Sequence, residues 1–193
     1  MRPSRTTTLT FALATTVLVA LTGCVGESPA PSATSTAGIT AATLNRCAQK
    51  LAPEVGRTAG LELTAAFDDA FRSDSTISGT VTLTNHTATR VTGTTGATPI
   101  VTLSRNGRVL WHTNGAMIAM AATVDLAPGA SMTYPASFSP VECAAQDEAD
   151  NSFRENLPRV PAGRYDVSAA IDLSGDSGTS TLITGPLTRI RIR

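Results

Sequence analysis

Few side chains in this 193-residue sequence are suited to chemistry, namely three cysteines (Cys24, Cys47 and Cys143) and two histidines (His86 and His112). The sequence has no Gly-x-Ser-x-Gly nucleophile elbow, no Cys-x-x-Cys pair and no His-Glu-x-x-His zinc motif. A serine–histidine–acid triad would need one of two histidines that we predict to lie on the surface or at strand ends. We therefore expect no catalytic residue and no enzymatic activity.

A soft-metal site is the main alternative that these residue types leave open. Met117 and Met120 lie near His112 and Met132 in the sequence, and thioethers favour Cu(I). The run Met-Ile-Ala-Met-Ala-Ala is also ordinary apolar sequence, and methionine often fills gaps in cores. We expect core packing here, with no metal and no cofactor, and keep copper handling as the alternative.

An acidic run from Val141 to Pro158 interrupts the apolar patterns on either side of it. Calcium loops place oxygen ligands at alternating positions around a glycine, and this run contains no glycine. We expect Asp147, Glu148 and Asp150 to lie in a solvated excursion between two strands, part of it helical.

The N-terminal residues have the order of a secretory signal. Two arginines precede an apolar core that ends at Leu21 and is shorter than the roughly 20 residues of a membrane span. The sequence Leu-Thr-Gly-Cys that ends at Cys24 resembles a bacterial lipobox, in which the cysteine receives a diacylglyceryl group and becomes the mature N-terminus. Two acyl chains are enough for stable anchoring. The resemblance implies a leader at 1–23 and a lipid anchor on the extracytoplasmic face of the cell membrane; an ordinary cleaved signal or an uncleaved anchor is the alternative.

The rest of the chain divides into a tether and one domain. Residues 24–38 are small, polar and proline-containing, which predicts a flexible linker, and residues 39–193 suit a single domain. Removing the leader takes away two of the 15 basic residues and none of the 15 acidic ones, which leaves 13 against 15. Without a basic excess we expect no nucleic-acid partner. The expected partners are the bilayer, through acylated Cys24, and an unidentified envelope protein.

The two remaining cysteines suggest a structural bridge. In an oxidising compartment a disulfide between Cys47 and Cys143 is the natural pairing. It would close a loop of about a hundred residues, for which the chain-entropy model gives about 4–5 kcal/mol. A reactive thiol is the alternative, but no Cys-x-x-Cys or adjacent histidine supports it.

From Leu61 onward, apolar and polar residues alternate as they do in half-buried strands. Turn residues punctuate the alternation, with an Asn-Gly hairpin signal and two proline turns. About seven such strands predict an all-β fold, an immunoglobulin-like antiparallel β-sandwich with Trp111 and Tyr165 in or beside the core. Before them, Ile39–Leu51 fits either a short helix or an irregular segment. The predicted strands cover residues 61–67, 77–85, 100–103, 109–111, 132–138, 165–173 and 182–192.

Four landmarks in this order resemble those of the BsuPI-type proteinase-inhibitor domain, a bacterial immunoglobulin-like module. The landmarks are Thr82-Leu83-Thr84-Asn85-His86-Thr87, Gly107-Arg108-Val109-Leu110-Trp111, Leu126-Ala127-Pro128-Gly129 and Pro161-Ala162-Gly163-Arg164-Tyr165. The resemblance covers residues 60–173, implies the fold, and offers proteinase inhibition as an alternative function, with no inhibitory residue carried over. We expect a non-enzymatic binding or structural module of the cell envelope, with recognition around Asn114-Gly115 and the acidic excursion.

Overall fold

The computed structural model describes residues 44–53, 57–114, 121–149, 152–153, 156–176 and 178–193. The predicted leader, Cys24 and the tether lie outside this part of the chain. Within it, regular structure is β-strand apart from one turn of 3-10 helix at Ala145–Asp147. The predicted all-β class is confirmed. In these ranges no helix is both long and apolar enough to cross a bilayer.

Twelve strands occur in the described ranges, several of them only two to six residues long. In chain order they are β1 (Leu61–Phe67), β2 (Ile77–Asn85), β3 (Val91–Gly96), β4 (Ile100–Arg105), β5 (Arg108–His112), β6 (Ala121–Leu126), β7 (Ser131–Phe138), β8 (Glu148–Ala149), β9 (Ser152–Phe153), β10 (Gly163–Ser174), β11 (Ser180–Thr184) and β12 (Thr188–Ile192).

The strands form two antiparallel sheets that pack as a sandwich. The smaller sheet has the order β1-β2-β7, and the larger sheet has the order β5-β4-β10-β3-β6, with β11 and β12 both paired to β10. Strands β8 and β9 make a separate two-stranded ribbon. The alternation of apolar and polar residues sets these registers, because a slip by one residue would turn the apolar side chains to solvent.

The core lies between the two sheets and is built from the alternating apolar positions of the predicted strands. Tyr165 is buried, and its hydroxyl donates a 2.5 Å hydrogen bond to the carbonyl of Pro161, four residues earlier. This arrangement is the tyrosine corner of immunoglobulin-like sandwiches. Trp111 is half-buried and packs at the margin of the core, with its ring 6.5 Å from that of Phe138. Both aromatics therefore lie where the sequence places them.

The outer face of β10 departs from the prediction. The alternation assigns Ser168 to a solvent-facing side, yet Ser168 is 9% exposed and Ala170 is 2% exposed. The covering element is the N-terminal segment 44–53, whose Leu44 and Asn45 line a cleft together with these two residues. That segment is irregular and runs along β5, where the Ala48 N–H donates to the Val109 carbonyl at 3.1 Å.

The predicted final strand is in fact two strands. Both β11 and β12 pair with β10, through Thr184 opposite Ala170 and Thr188 opposite Val167. The break falls at Gly185, where a Cβ would lie 2.5 Å from the Leu63 carbonyl oxygen. The close approach to β1 therefore requires glycine at this position, and Pro186, which has no N–H to donate, follows it.

Candidate functional site

Three segments from distant parts of the sequence meet at one end of β5. The N-terminal segment supplies Arg46 and Cys47, β5 ends in His112, and the acidic excursion supplies Cys143 and Glu148. Cys47 and Cys143 are joined in a disulfide with a Cα–Cα distance of 5.5 Å, the pairing that the sequence favours. Both cysteines are 1% exposed. The bridge thus holds the excursion against the N-terminal segment.

Glu148 is the centre of this cluster. Its Oε1 accepts hydrogen bonds from the Cys47 N–H at 2.5 Å and from His112 Nε2 at 2.8 Å. Its Oε2 accepts a hydrogen bond from Arg46 Nε at 2.6 Å. Only 5% of the Glu148 side chain is exposed. A buried carboxylate is costly unless it is paired and hydrogen-bonded, and this one has three partners, two on the N-terminal segment and one on β5.

The hydrogen bonds decide the charge of Glu148. Burial by itself raises the pKa of the carboxyl group, but the Cys47 N–H, His112 and Arg46 together outweigh burial and hold the pKa below its ordinary value. Glu148 is therefore a carboxylate at neutral pH. Its hydrogen bonds to Arg46, Cys47 and His112 connect the acidic excursion to the N-terminal segment and to β5.

His112 faces oxygen acceptors on both sides of its ring. Its Nδ1 lies 3.0 Å from the Thr113 carbonyl oxygen, and its Nε2 lies 2.8 Å from the Glu148 carboxylate. Because a carbonyl and a carboxylate only accept hydrogen bonds, a ring that carries a proton on both nitrogens satisfies both contacts. Phe153 on β9 closes the site with its ring 5.3 Å from the imidazole, edge to face.

The same atoms form a set of possible metal ligands. A Cys47 sulfur, a His112 ring nitrogen and a Glu148 carboxylate oxygen all lie within 4.8 Å of one another. Thiolate, imidazole and carboxylate are the ligands that Zn²⁺ takes in proteins. In this structure the sulfur belongs to the disulfide, so it offers no thiolate.

His112 lies at the end of β5, as predicted, but it is 9% exposed and its side chain is hydrogen-bonded at both nitrogens. One prediction about this region is wrong. Asp147 and Glu148, predicted to be solvated, are buried, and the Asp147 Oδ2 accepts a hydrogen bond from the Ala144 N–H at 2.8 Å. The reason is the disulfide at Cys143, which draws the excursion inward. Asp150 lies outside the described residues.

The other candidate residues give little support to a second site. His86 is exposed at the end of β2, as predicted, and pairs with Glu62 at 2.7 Å. Met132 packs partly buried against the core. Met117, Met120 and Gly115 lie outside the described residues, so copper handling and recognition at Asn114-Gly115 stay untested.

A small cleft lies between the N-terminal segment and the outer face of β10. Asn45 on its wall already uses both ends of its amide. The Nδ2 donates to Thr102 Oγ1 at 3.2 Å, and the Oδ1 accepts from the Ala52 N–H at 2.7 Å. The cleft is therefore a packing seam between two segments, held by Asn45.

Comparisons with known proteins add no identity. No family model and no curated protein matches the chain. The structural-genomics target SoR45 aligns over 68% of this chain and 85% of its own, at 11% identity and a TM-score of 0.39. A β-glucosidase from Listeria innocua in complex with glucose aligns over 68% of this chain and 16% of its own, at 13% identity and a TM-score of 0.35. Such distant likenesses assign neither substrate nor partner.

Proposed function

We propose that this protein is an exported bacterial lipoprotein whose immunoglobulin-like body serves as a non-enzymatic binding or structural module on the outer face of the cell membrane. The supporting observation is the Cys47–Cys143 disulfide, which is buried between two irregular segments. Such a bridge forms and persists outside the reducing cytosol. It agrees with the export signal and with the lipobox-like sequence that ends at Cys24.

The buried cluster supports a non-enzymatic role. His112 lies beside both a cysteine and a carboxylate, and its side chain is 11% exposed, with the Phe153 ring packed edge to face against it. A general base must reach the proton that it abstracts, and this ring is already engaged on both sides. Its geometry serves to fix the acidic excursion in place. Binding is then expected on the loops that this cluster makes rigid.

Proteinase inhibition is the second candidate, and one observation favours it. The excursion is held at its base by the Cys143 disulfide, by a bridge between Val141 and Arg159, and by the Glu142 N–H, which donates to the Pro158 carbonyl at 2.8 Å. A loop pinned at both ends loses little entropy when it enters an active site. Titration of the protein against a panel of serine proteinases separates this candidate from a structural role.

The anchor is tested by fractionation of cells that express the full chain. We expect the wild type in the membrane fraction, labelled by fatty acid, and Cys24→Ala unlabelled and absent from the lipid-modified pool. Cys143→Ala is the matched control, because it removes a cysteine without touching the lipidation site and should keep the label. Equal labelling of wild type and Cys24→Ala would contradict the proposal.

A further inference from the structure

A cysteine sulfur lies close to the hydrogen bond between the His112 ring and the Glu148 carboxylate. His112 Nε2 and Glu148 Oε1 are 2.8 Å apart, with one proton between them, and the Cys47 sulfur lies within 4.8 Å of both atoms. The other charged partner, Arg46, binds the far oxygen of the carboxylate at 2.6 Å. The near oxygen, the ring nitrogen and the sulfur therefore face a common point.

Cleaving the disulfide would free a second thiol, that of Cys143, next to the Cys47 sulfur. Cys143 Sγ is bonded to Cys47 Sγ in the oxidised protein, and the two Cα atoms are 5.5 Å apart. Two thiolates on one zinc, each about 2.3 Å from the metal, lie about 3.8 Å apart in tetrahedral geometry. Binding of one ion by both thiolates would require the two side chains to rotate until their sulfurs are this far apart.

We propose that the reduced protein binds one Zn²⁺ ion with the side chains of Cys47, Cys143, His112 and Glu148. This inference goes beyond the proposed function, and it does not depend on lipidation at Cys24. Two thiolates, one imidazole and one carboxylate make a closed tetrahedral set, as in structural zinc sites. The metal takes the position of the shared proton, so His112 becomes a neutral ligand through Nε2.

The surroundings of the site already orient the ligands for a metal. The Thr113 carbonyl accepts the Nδ1–H of His112 at 3.0 Å, which leaves Nε2 as the coordinating atom. Arg46 holds the Glu148 carboxylate from its outer side. Hydrogen bonds of this kind fix the tautomer and rotation of metal ligands in zinc proteins. The fold thus supplies the ligands and also the groups that position them.

Formation of the zinc site from the oxidised protein needs one phosphine and one water for the reduction. A phosphine reductant and one water convert the disulfide to two thiols and are consumed as the phosphine oxide. Zn²⁺ then displaces one proton from each thiol and the proton shared by His112 and Glu148. Either the disulfide or the zinc ion would link the N-terminal segment to the acidic excursion. The zinc form belongs to the state before oxidation.

The test uses residues 24–193 with Cys24→Ser, so that Cys47 and Cys143 are the only thiols. This chain contains every residue that the structure describes. The protein, oxidised or phosphine-reduced, is titrated with Co²⁺, which reports thiolate ligands by charge-transfer absorption, and then with Zn²⁺ in competition. We expect one ion per reduced chain and no thiolate band for the oxidised chain.

Two variants and one control assign the ligands. His112→Gln and Glu148→Gln should weaken Zn²⁺ binding by about 100-fold, since loss of a ligand exceeds the 10- to 100-fold effect of losing an outer partner. His86→Gln removes the other histidine, which pairs with Glu62 at 2.7 Å on the surface, and should leave the affinity within about twofold. Circular dichroism on each sample reports whether the β signal is kept or restored by Zn²⁺.

Three results would overturn the inference. They are equal binding by oxidised and reduced protein, reduced binding that His112→Gln leaves unchanged, and a reduced chain that stays unfolded with Zn²⁺ and shows no thiolate band. None of these bears on fatty-acid labelling at Cys24, so the zinc site and the proposed function fail separately.

Discussion

At the scale of single residues, Glu148 is a buried carboxylate whose charge must be balanced by its neighbours. Its carboxylate accepts hydrogen bonds from Arg46, Cys47 and His112. Removing one partner of a buried charged set leaves the others unpaired, which costs about 3–5 kcal/mol. One side chain therefore connects the acidic excursion to the rest of the sandwich, and the strength of this connection depends on whether the carboxyl group is ionised.

Glu148 should make stability depend on pH in a defined direction. Its pKa in the folded protein lies below the ordinary value of 4.5, because hydrogen bonds outweigh burial. A depressed pKa contributes stability that is fully present above 4.5 and is lost as the pH falls through the lower folded value. Urea unfolding between pH 7 and pH 3 should therefore show a steeper acid loss for wild type than for Glu148→Gln.

Glu62→Gln is the reference for this comparison, because Glu62 pairs with His86 and Arg57 on the surface. Exposed pairs contribute about 0–1 kcal/mol, so this variant should follow the wild-type profile. Parallel profiles for wild type and Glu148→Gln would show that the buried carboxylate is not the group that titrates.

The two tyrosines of the core should respond in opposite ways to loss of their hydroxyl groups. Tyr134 is 2% exposed and its hydroxyl has no hydrogen-bond partner among the described residues, whereas the Tyr165 hydroxyl donates to Pro161. A buried unpaired polar group is costly and a paired one is favourable. Tyr134→Phe should hold or raise the free energy of unfolding, and Tyr165→Phe should lower it by about 1 kcal/mol.

Urea denaturation of both variants measures this difference under one set of conditions. Each substitution removes one oxygen from a buried ring, so each is the other's control for volume. A larger loss for Tyr134→Phe than for Tyr165→Phe would contradict the assignment of the tyrosine corner.

At the scale of elements, the pairing of β1 with β2 depends on one glycine. A Cβ on Gly79 would lie 2.3 Å from the ring of Phe67 and 2.4 Å from the Ala66 carbonyl oxygen. The ring can turn, but the carbonyl belongs to the neighbouring strand and cannot move alone. Gly79→Ala should therefore lower the free energy of unfolding by about 2–3 kcal/mol, as overpacking does.

Ser78 supplies the matched control for β2. It is the exposed neighbour of Gly79 on the same strand, and Ser78→Ala should change stability by no more than about 0.5 kcal/mol. Thermal unfolding of both variants checks the prediction. Equal stability of Gly79→Ala and Ser78→Ala would contradict the prediction, because it would mean that β1 shifts away from the added Cβ without loss of stability.

The disulfide should be the largest single contribution to holding these elements together. It joins residues 96 positions apart, and the chain-entropy model gives a loop of this length about 4–5 kcal/mol. Reduction in the presence of a chelator should lower the urea midpoint accordingly, with the chelator present so that metal binding does not contribute. An unchanged midpoint would mean that the disulfide contributes nothing measurable to the free energy of unfolding.

How far the sequence predicts each element depends on how its stability arises. Strands β1, β2 and β7 alternate apolar and polar residues, because each buries one face, and their positions follow from that pattern alone. Strand β10 shows a similar alternation in sequence, but the middle of its outer face is buried as well. The sequence of β3 (Val91–Gly96) lacks large apolar residues. The start of β6 belongs to an apolar run whose composition does not distinguish a strand from other core sequence. Both form because they pair with each other, in a register from Val91 opposite Leu126 to Gly96 opposite Ala121.

The cluster of Cys47, His112 and Glu148 could not be predicted from the sequence, because it also depends on contacts between distant segments. His112 and Glu148 are 36 positions apart, and Glu148 and Cys47 are 101 apart. Acidic composition predicts a solvated loop, and nothing local opposes that prediction. The disulfide could be inferred by counting cysteines, and following its consequence, that the chain next to Cys143 must be buried, would have pointed to Asp147 and Glu148.

At the scale of the whole molecule, the proposed function combines a β-sandwich with a linker that would hold its loops at a distance from the membrane. The composition of residues 24–38 predicts such a linker. In this proposal, binding takes place on the loops next to the disulfide and Glu148. Loss of the disulfide or of Glu148 should affect recognition, while loss of the anchor should affect location.

We propose a lipid anchor at Cys24, and the structure has a disulfide between Cys47 and Cys143. Intact-mass spectrometry of the native protein, extracted from membranes without reductant, tests both parts at once. We predict a chain that begins at Cys24, carries the mass of a diacylglyceryl group and is two hydrogens lighter than the dithiol form. A chain that retains residues 1–23, or one with an unmodified Cys24 and two free thiols, would contradict the account.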